Sequence, residues 1–235
     1  MNDVIGSGLL ANSFMKAKDI NSCILCSGVS DSHETRESEF LREKRLLLSS
    51  IFDNKEKLII YFSSVQVNES HTPYLKHKLN MEAVVKNNSK NYLIARLPQV
   101  VGVTSNSTIF PTFIRNVYLQ KEIPIYKYAT RSLVDVDDVM RIIVYLVSNG
   151  IRNKVFDLSP SVNISPLSIV TEIGKVLKLQ PIVKIIEKGD EQRADVEFLR
   201  QVLTNKDFIF DSDYIFKIIQ KYSHVVLKKI ISESI

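Results

Sequence analysis

Residues 57–86 read KLIIYFSSVQVNESHTPYLKHKLNMEAVVK. The first eleven form an apolar run rich in β-branched and aromatic side chains, the pattern of a strand buried on both faces. From Pro73 to about Lys86 the pattern becomes helical. A strand buried on both sides needs partner strands at its edges and helices above and below, so this stretch predicts an α/β fold.

The surrounding chain repeats the alternation. Segment 3–8, DVIGSG, reads as a strand running into a glycine turn, and LLANSFMKA as a short helix. CILCSGV at 23–29 is a second strand, EFLREKRLLLSSIF a helix near 38–52, and NYLIARLPQVVG another strand and loop. Strand and helix in alternation imply a parallel sheet with helices on both faces. Only about fifteen residues separate the first strand from the second, too few for an intervening strand and crossover. The expected fold is a Rossmann-like parallel sheet lacking the usual second and third strands.

The second half changes character. A helix and a short strand lead to Asp137 and Asp138, read as a turn and helix cap, then to a helix over 138–148 closed by Asn149-Gly150. KVFDLS is a further strand. Ser165 caps a helix with Pro166 at its first position, PIVKIIEK is strand-like, and the tail 190–235 reads as amphipathic helix. The division predicted is 1–97 with 133–160 as a cofactor-binding domain, and 98–132 with 161–235 as a small α/β substrate lobe.

Composition narrows the function classes. The chain has 235 residues, 45% hydrophobic and 24% charged, with a net charge of +5. No stretch reaches the ~20 apolar residues that cross a bilayer, and the N-terminus lacks the basic start of a signal peptide. The basic residues are scattered, which argues against nucleic acid; they read as a solvated lysine-rich surface. Cys23 and Cys26 lie three apart inside a strand, on opposite faces, and no second pair completes a zinc site. They read as buried thiols in a reducing, cytoplasmic compartment. His33, His71, His77 and His224 show no metal spacing, and no metal is expected; His33 reads as a solvated loop residue.

Two motifs bear on chemistry. Gly6-Ser7-Gly8-Leu9-Leu10-Ala11 is G-x-G-x-x-A between a strand and a helix, which suits a dinucleotide: a glycine for the turn, a glycine for close approach of phosphate, and a small residue for helix–strand packing. Asp19 leads straight into the second strand, so no acidic residue stands where an adenosine ribose is usually held. Tyr74 and Lys78 lie four apart on one helix face. A lysine beside a phenol favours the phenolate, which can exchange a proton with a sugar hydroxyl or ketone oxygen. One Y-x-x-x-K is expected by chance in a chain with nine tyrosines and this much lysine, so the pair alone decides nothing. Ser64, at the carboxyl end of the preceding strand, stands where parallel sheets place ligands.

Glycine turn, strand-end serine and tyrosine–lysine helix, in that order, resemble the extended short-chain dehydrogenase/reductase superfamily and its nucleotide-sugar epimerase, dehydratase and ketoreductase group. YLIARLPQVVG, TRSLVDVDDVMRIIVYL, KVFDLSPSVNISPLSIVTEIGKVL and EQRADV resemble its later segments. The family's first glycine is replaced by Ile5. The resemblance implies Tyr74 as general acid/base, Lys78 on the nicotinamide ribose, and Ser64 orienting the substrate oxygen. It implies Gly6, Gly8, Leu9, Leu10, Ala11, Ser27 and Gly28 around NADP or NAD. Gln99, where the family commonly has an asparagine, and Arg131 and Arg193 would meet a nucleotide-sugar substrate. The 4,6-dehydratases place an Asp-Glu pair after the strand-end hydroxyl; here Val65 and Gln66 follow Ser64, which argues against dehydration. Keto reduction is expected ahead of epimerisation, in polysaccharide biosynthesis, by a homodimer joined through helices near 38–52 and 73–87. The alternative is a catalytically degenerate reductase fold that binds a nucleotide or partner without turnover.

Overall fold

The computed structural model describes residues 1–68, 72–203 and 210–233; His71 and part of the tail read as helical lie outside them. In chain order the elements are β1 (Asp3–Ile5), α1 (Leu9–Phe14), β2 (Ser22–Leu25), α2 (Glu37–Asp53), β3 (Leu58–Ser64), α3 (Pro73–Asn88), β4 (Tyr92–Leu97), β5 (Gln99–Val101) and α4 (Ile109–Tyr118). Then follow β6 (Ile123–Tyr126), β7 (Leu133–Asp135), α5 (Val136–Ser148), β8 (Lys154–Asp157), α6 (Pro166–Leu177), β9 (Val183–Ile186), α7 (Glu197–Val202) and α8 (Tyr214–Ser232). The chain divides into two compact units, one of Met1–Leu97, Val136–Leu158 and Ala194–Asn205, the other of Pro98–Asp135, Ser159–Arg193 and Lys206–Ile235.

The first unit is built on a five-stranded sheet in the order β1-β2-β3-β4-β8, parallel throughout. β3 is the central strand, which explains why its sequence is apolar without alternation: six of its seven residues are buried. Each large side chain so buried contributes about 1.5–3 kcal/mol relative to an exposed one. Ile59 and Tyr61 face the cluster formed with Leu47 and Ile51 of α2 and Met81 and Val85 of α3. Phe62, on the other face, meets Phe14 of α1 with ring centroids 5.5 Å apart, and α1 packs on α5. Helices thus cover both faces. β1 is an edge strand, as expected of a sheet without the usual second and third strands.

Local signals set the helix ends. Thr72 Oγ1 accepts from the Leu75 amide at 3.3 Å, with Pro73 at the first position of α3. α3 then departs from ordinary amphipathicity: beside Leu75, Met81 and Val85 it buries His77, Lys78 and Glu82. Glu82 is satisfied by Arg96 of β4 in a two-pronged pair, both bonds at 2.8 Å. Asp137 and Asp138 fall in the first turn of α5, where carboxylates complement the helix dipole, and Gly150, at φ +78°, follows its end.

The second unit packs α4, α6 and α8 around one apolar core, with two-stranded parallel pairs β5–β7 and β6–β9. Besides Ser159 and Pro160, which join the second unit, two segments fall on the other side of the division from the sequence reading. β7, grouped by sequence with the first domain, belongs to the second unit because it pairs with β5. The segment 194–205 belongs to the first, because the Phe198 ring packs 5.2 Å from that of Phe156 and the Asp195 amide donates to Asp157 at 2.8 Å. The tail read as continuous helix is, among the described residues, α7 and α8, with 190–196 irregular.

Candidate functional site

A parallel sheet delivers the carboxyl ends of its strands to one edge. Here that edge carries the glycine turn after β1, Ser27 and Gly28 after β2, and Ser64 at the end of β3. Gly6 sits at φ +131°, and a Cβ there would lie 3.0 Å from the carbonyl carbon of Cys26. The turn is therefore pressed onto the end of β2, and only glycine fits both the angle and the space. Gly8 precedes α1 in extended conformation with no side-chain cap, and a Cβ there would meet nothing within 4 Å among the described residues. Leu9 and Leu10 begin α1, and Ala11 is fully buried, so a small residue lets that helix close onto the unit. A backbone open at Gly8 and packed behind it fits the phosphates of a dinucleotide.

Tyr74 stands in the first turn of α3, half-buried. Lys78 follows one turn later, 4% exposed, with Nζ 6.0 Å from the centroid of the Tyr74 ring. Its ammonium does not point freely at the sheet edge. It donates to Glu43 Oε1 at 3.0 Å, to the Tyr61 hydroxyl at 3.2 Å and to the Phe62 carbonyl at 3.5 Å. An ammonium has three protons, and these three acceptors account for them. The expected hand-hold on a nicotinamide ribose is therefore not presented; on this point the lysine does not fit the cofactor.

The expected acidification of the phenol is likewise reversed. Burial, with the negative charges of Glu43 and Asp31, pushes the Tyr74 phenol up to about 12. The lysine was expected to lower it, but its charge is compensated by Glu43.

Glu43 is the residue that sequence reasoning missed. It is 3% exposed and accepts from the Tyr61 hydroxyl at 2.7 Å, Lys78 at 3.0 Å, the Val29 amide at 2.7 Å and His77 Nε2 at 3.0 Å. Because the carboxylate only accepts, that ring nitrogen carries a proton. Burial opposes its ionisation, and the bonds from His77, Lys78, Val29 and Tyr61 outweigh burial, holding it at about 2. The signal lay in helical spacing: Phe40, Glu43, Leu47 and Ile51 form one stripe of α2, so an acid occupied a core position.

Ser64 ends β3 half-buried, its Oγ accepting from the Gln66 amide at 3.3 Å. Ser63, its neighbour, is buried, and its hydroxyl has no hydrogen-bond partner among the described residues. Cys23 and Cys26 are free thiols, pushed by burial to about 11 and about 12, far from the reactive range. His33 is exposed, and among the described residues no group of His, Cys, Asp or Glu is placed to hold a metal.

Gln99, Arg131 and Arg193 all lie in the second unit. Gln99 opens β5 with its side chain on the Val100 carbonyl at 3.3 Å. Arg131 is partly buried and donates to the Thr130 carbonyl at 2.7 Å; burial lowers its pKa from the ordinary value. Arg193 is exposed, 3.5 Å from Glu191. The segments carrying the two arginines are tied together by buried Gln192, whose amide donates to Thr130 Oγ1 at 3.0 Å and whose side chain accepts from the Ser132 amide at 2.9 Å.

Comparison with solved structures returns the same architecture. The Bordetella bronchiseptica enzyme WbmH in complex with NAD+ superposes with a TM-score of 0.74 at 14% identity, over 89% of this chain and 76% of that one. The UDP-N-acetylglucosamine 4-epimerase from Methanobrevibacter ruminantium, in complex with UDP-N-acetylmuramic acid, gives 0.71 at 17% identity, over 99% and 90%. RMD from Pseudomonas aeruginosa, complexed with NADPH, gives 0.72 at 14% identity, over 91% and 82%. No sequence among the curated proteins matches significantly. The family model for the NAD dependent epimerase/dehydratase family matches residues 33–159. That span takes in Ser64, Tyr74, Lys78, Gln99 and Arg131, and is more than half of the chain. The strand-end serine and the tyrosine–lysine helix thus fall inside a family match over residues 33–159, and the chain belongs to the NAD dependent epimerase/dehydratase family.

Proposed function

We propose that the protein is an NAD(P)-dependent enzyme acting on a nucleotide-activated sugar, with Tyr74 as the proton-carrying group, Ser64 orienting the reacting oxygen, and Gly6, Gly8, Leu9, Leu10, Ala11, Ser27 and Gly28 around the cofactor. The observation that carries this reading is the shared sheet edge: the glycine turn of β1, the Ser27-Gly28 end of β2 and Ser64 of β3 end on one side, with α3 packed on β3. NAD or NADP supplies hydride exchange when bound. Neighbours of the same fold hold NAD+, NADPH or a nucleotide sugar, which supports the assignment of ligand class. Gln99, Arg131 and Arg193 are proposed to receive the nucleotide half, where the guanidinium fork suits phosphate.

The direction favoured is reduction of a keto sugar. A phenol held at about 12 is protonated at neutral pH, fit to donate to a ketone oxygen and poor at taking a proton from a hydroxyl, the step with which epimerisation begins. Leu41, Leu48 and Phe52 of α2 and Leu79 of α3 are exposed, which supports a homodimer through these helices. The free thiols support a cytoplasmic setting, and no helix among the described residues is long and apolar enough to cross a membrane.

A second reading, binding without turnover, is favoured by one observation: all three Lys78 protons are engaged by Glu43, Tyr61 and Phe62. Titration with NADH and NADPH followed by assay on a panel of 4-keto nucleotide sugars separates the two. Turnover with hydride consumption supports the enzyme. Tight binding without turnover on any member supports the module. Absence of binding of either cofactor by the folded protein overturns the enzyme and favours the module, with a partner or another nucleotide as its ligand.

A further inference from the structure

The group formed by Glu43, Tyr61, His77 and Lys78 is assembled from three elements, and the proposed reaction assigns a role to none of its members. α2 supplies Glu43 and also Phe40, whose ring stacks on that of His77 at 4.5 Å between centroids. β3 supplies Tyr61, and α3 supplies His77 and Lys78. The loop after β2 closes over them: a Cβ on Gly28 would lie 2.7 Å from Lys78 Nζ and 2.8 Å from Glu43 Oε1. A narrow recess lined by Ser27, Gly28, Glu43 and Tyr61, among others, opens beside the pair. The pair is thus directly beneath the strand-end residues assigned to the cofactor.

We infer that Glu43 is a clamp on Lys78, a positioning residue that withholds the ammonium from Tyr74 and from a ribose hydroxyl at the sheet edge. Two things make it a clamp. The carboxylate is saturated: four donors reach its two oxygens, so Lys78 cannot leave without exposing a buried anion to a lost partner, which is costly. The ammonium is saturated as well, so a ribose hydroxyl gains a bond to Lys78 only by displacing one already made. The cofactor half of this inference rests on the dinucleotide reading above; the electrostatic half, between Glu43 and Tyr74, does not.

The test compares wild type with Glu43→Gln, which keeps shape and removes charge. The groups that face the phenol are Glu43 from α2, Asp31 from the loop after β2, Tyr61 from β3 and Lys78 from α3. NMR of Cζ-labelled tyrosine, assigned with Tyr74→Phe, reads the phenol directly; NADH and NADPH fluorescence titrations read cofactor affinity. The clamp predicts that in Glu43→Gln the Tyr74 resonance titrates at least one pH unit lower. It also predicts affinity about tenfold higher, with both gains lost when Lys78→Met is added. A phenol that titrates as in wild type overturns the clamp, as does a wild type that binds NADH with an affinity unchanged in Glu43→Gln. If the phenol moves down while no variant binds either cofactor, the clamp stands and the dinucleotide reading falls. Should Glu43→Gln fail to fold, the Nζ-labelled lysines of the unaltered protein serve: the clamp predicts slowly exchanging Lys78 ammonium protons that NADH leaves protected. Fast exchange overturns it.

Discussion

Lys78 Nζ lies 3.0 Å from Glu43 Oε1 and 6.0 Å from the centroid of the Tyr74 ring. The lysine that shares a helix face with the phenol therefore spends its charge on a carboxylate from another helix. The energetic and chemical behaviour of the site follows from that preference.

Removing the cation strands the anion. Lys78→Met should lower stability by about 3–5 kcal/mol, the range for breaking a buried pair from one side. Urea unfolding followed by circular dichroism measures it, and a loss below about 1 kcal/mol would mean that water reaches Glu43.

Acid acts on the same pair. The folded-state pKa of Glu43 is about 2 against an ordinary 4.5. The stability it contributes is present above about pH 4.5 and is lost as pH falls through that interval toward 2. The unfolding free energy of wild type should therefore drop more steeply between pH 5 and 3 than that of Glu43→Gln. Parallel curves for the two proteins would contradict the assignment.

The phenol makes a kinetic prediction. At about 12 it is protonated throughout the neutral range, so keto reduction should be nearly flat between pH 6 and 9. The reverse oxidation, which needs the phenolate, should rise with pH. Tyr74→Phe should lower kcat for reduction by about 10²–10⁴-fold, leaving KM within a few-fold. Stopped-flow NAD(P)H absorbance, falling during reduction and rising during the reverse oxidation, supplies both profiles.

The outer faces of α2 and α3 predict assembly. Leu48→Glu together with Phe52→Glu places charge on residues that are 37% and 67% exposed in the isolated chain. A homodimer through this face should become monomeric by sedimentation with its melting temperature little changed. A wild type that already sediments as a monomer would rule the interface out.

Much of this was legible in the sequence for reasons that are local. β3 is buried on both faces, so its composition alone identified it; Thr72-Pro73 and Ser165-Pro166 mark helix starts because cap and first-position chemistry depend on adjacent residues. The strand ends that hold Gly6, Gly8 and Ser64 followed from the alternation of elements. What was not legible depends on partners far along the chain. The spacing of α2 puts Glu43 on its apolar stripe, but the role of that acid comes from Tyr61, His77 and Lys78, 18, 34 and 35 residues away. β7 joined the other unit because of its pairing with β5, and 194–205 because of Phe156 and Asp157; neither preference is written in the local pattern.

Gly28 carries a consequence for descent. A methyl group at 28 would come within 2.7 Å of the ammonium and 2.8 Å of the carboxylate, so one of those side-chain ends must shift for residue 28 to change, which couples the three positions. Among related chains, alanine or larger at 28 should travel with loss of the acid at 43, and sequences that restore a free lysine should be recognisable by that paired exchange before any of them is assayed.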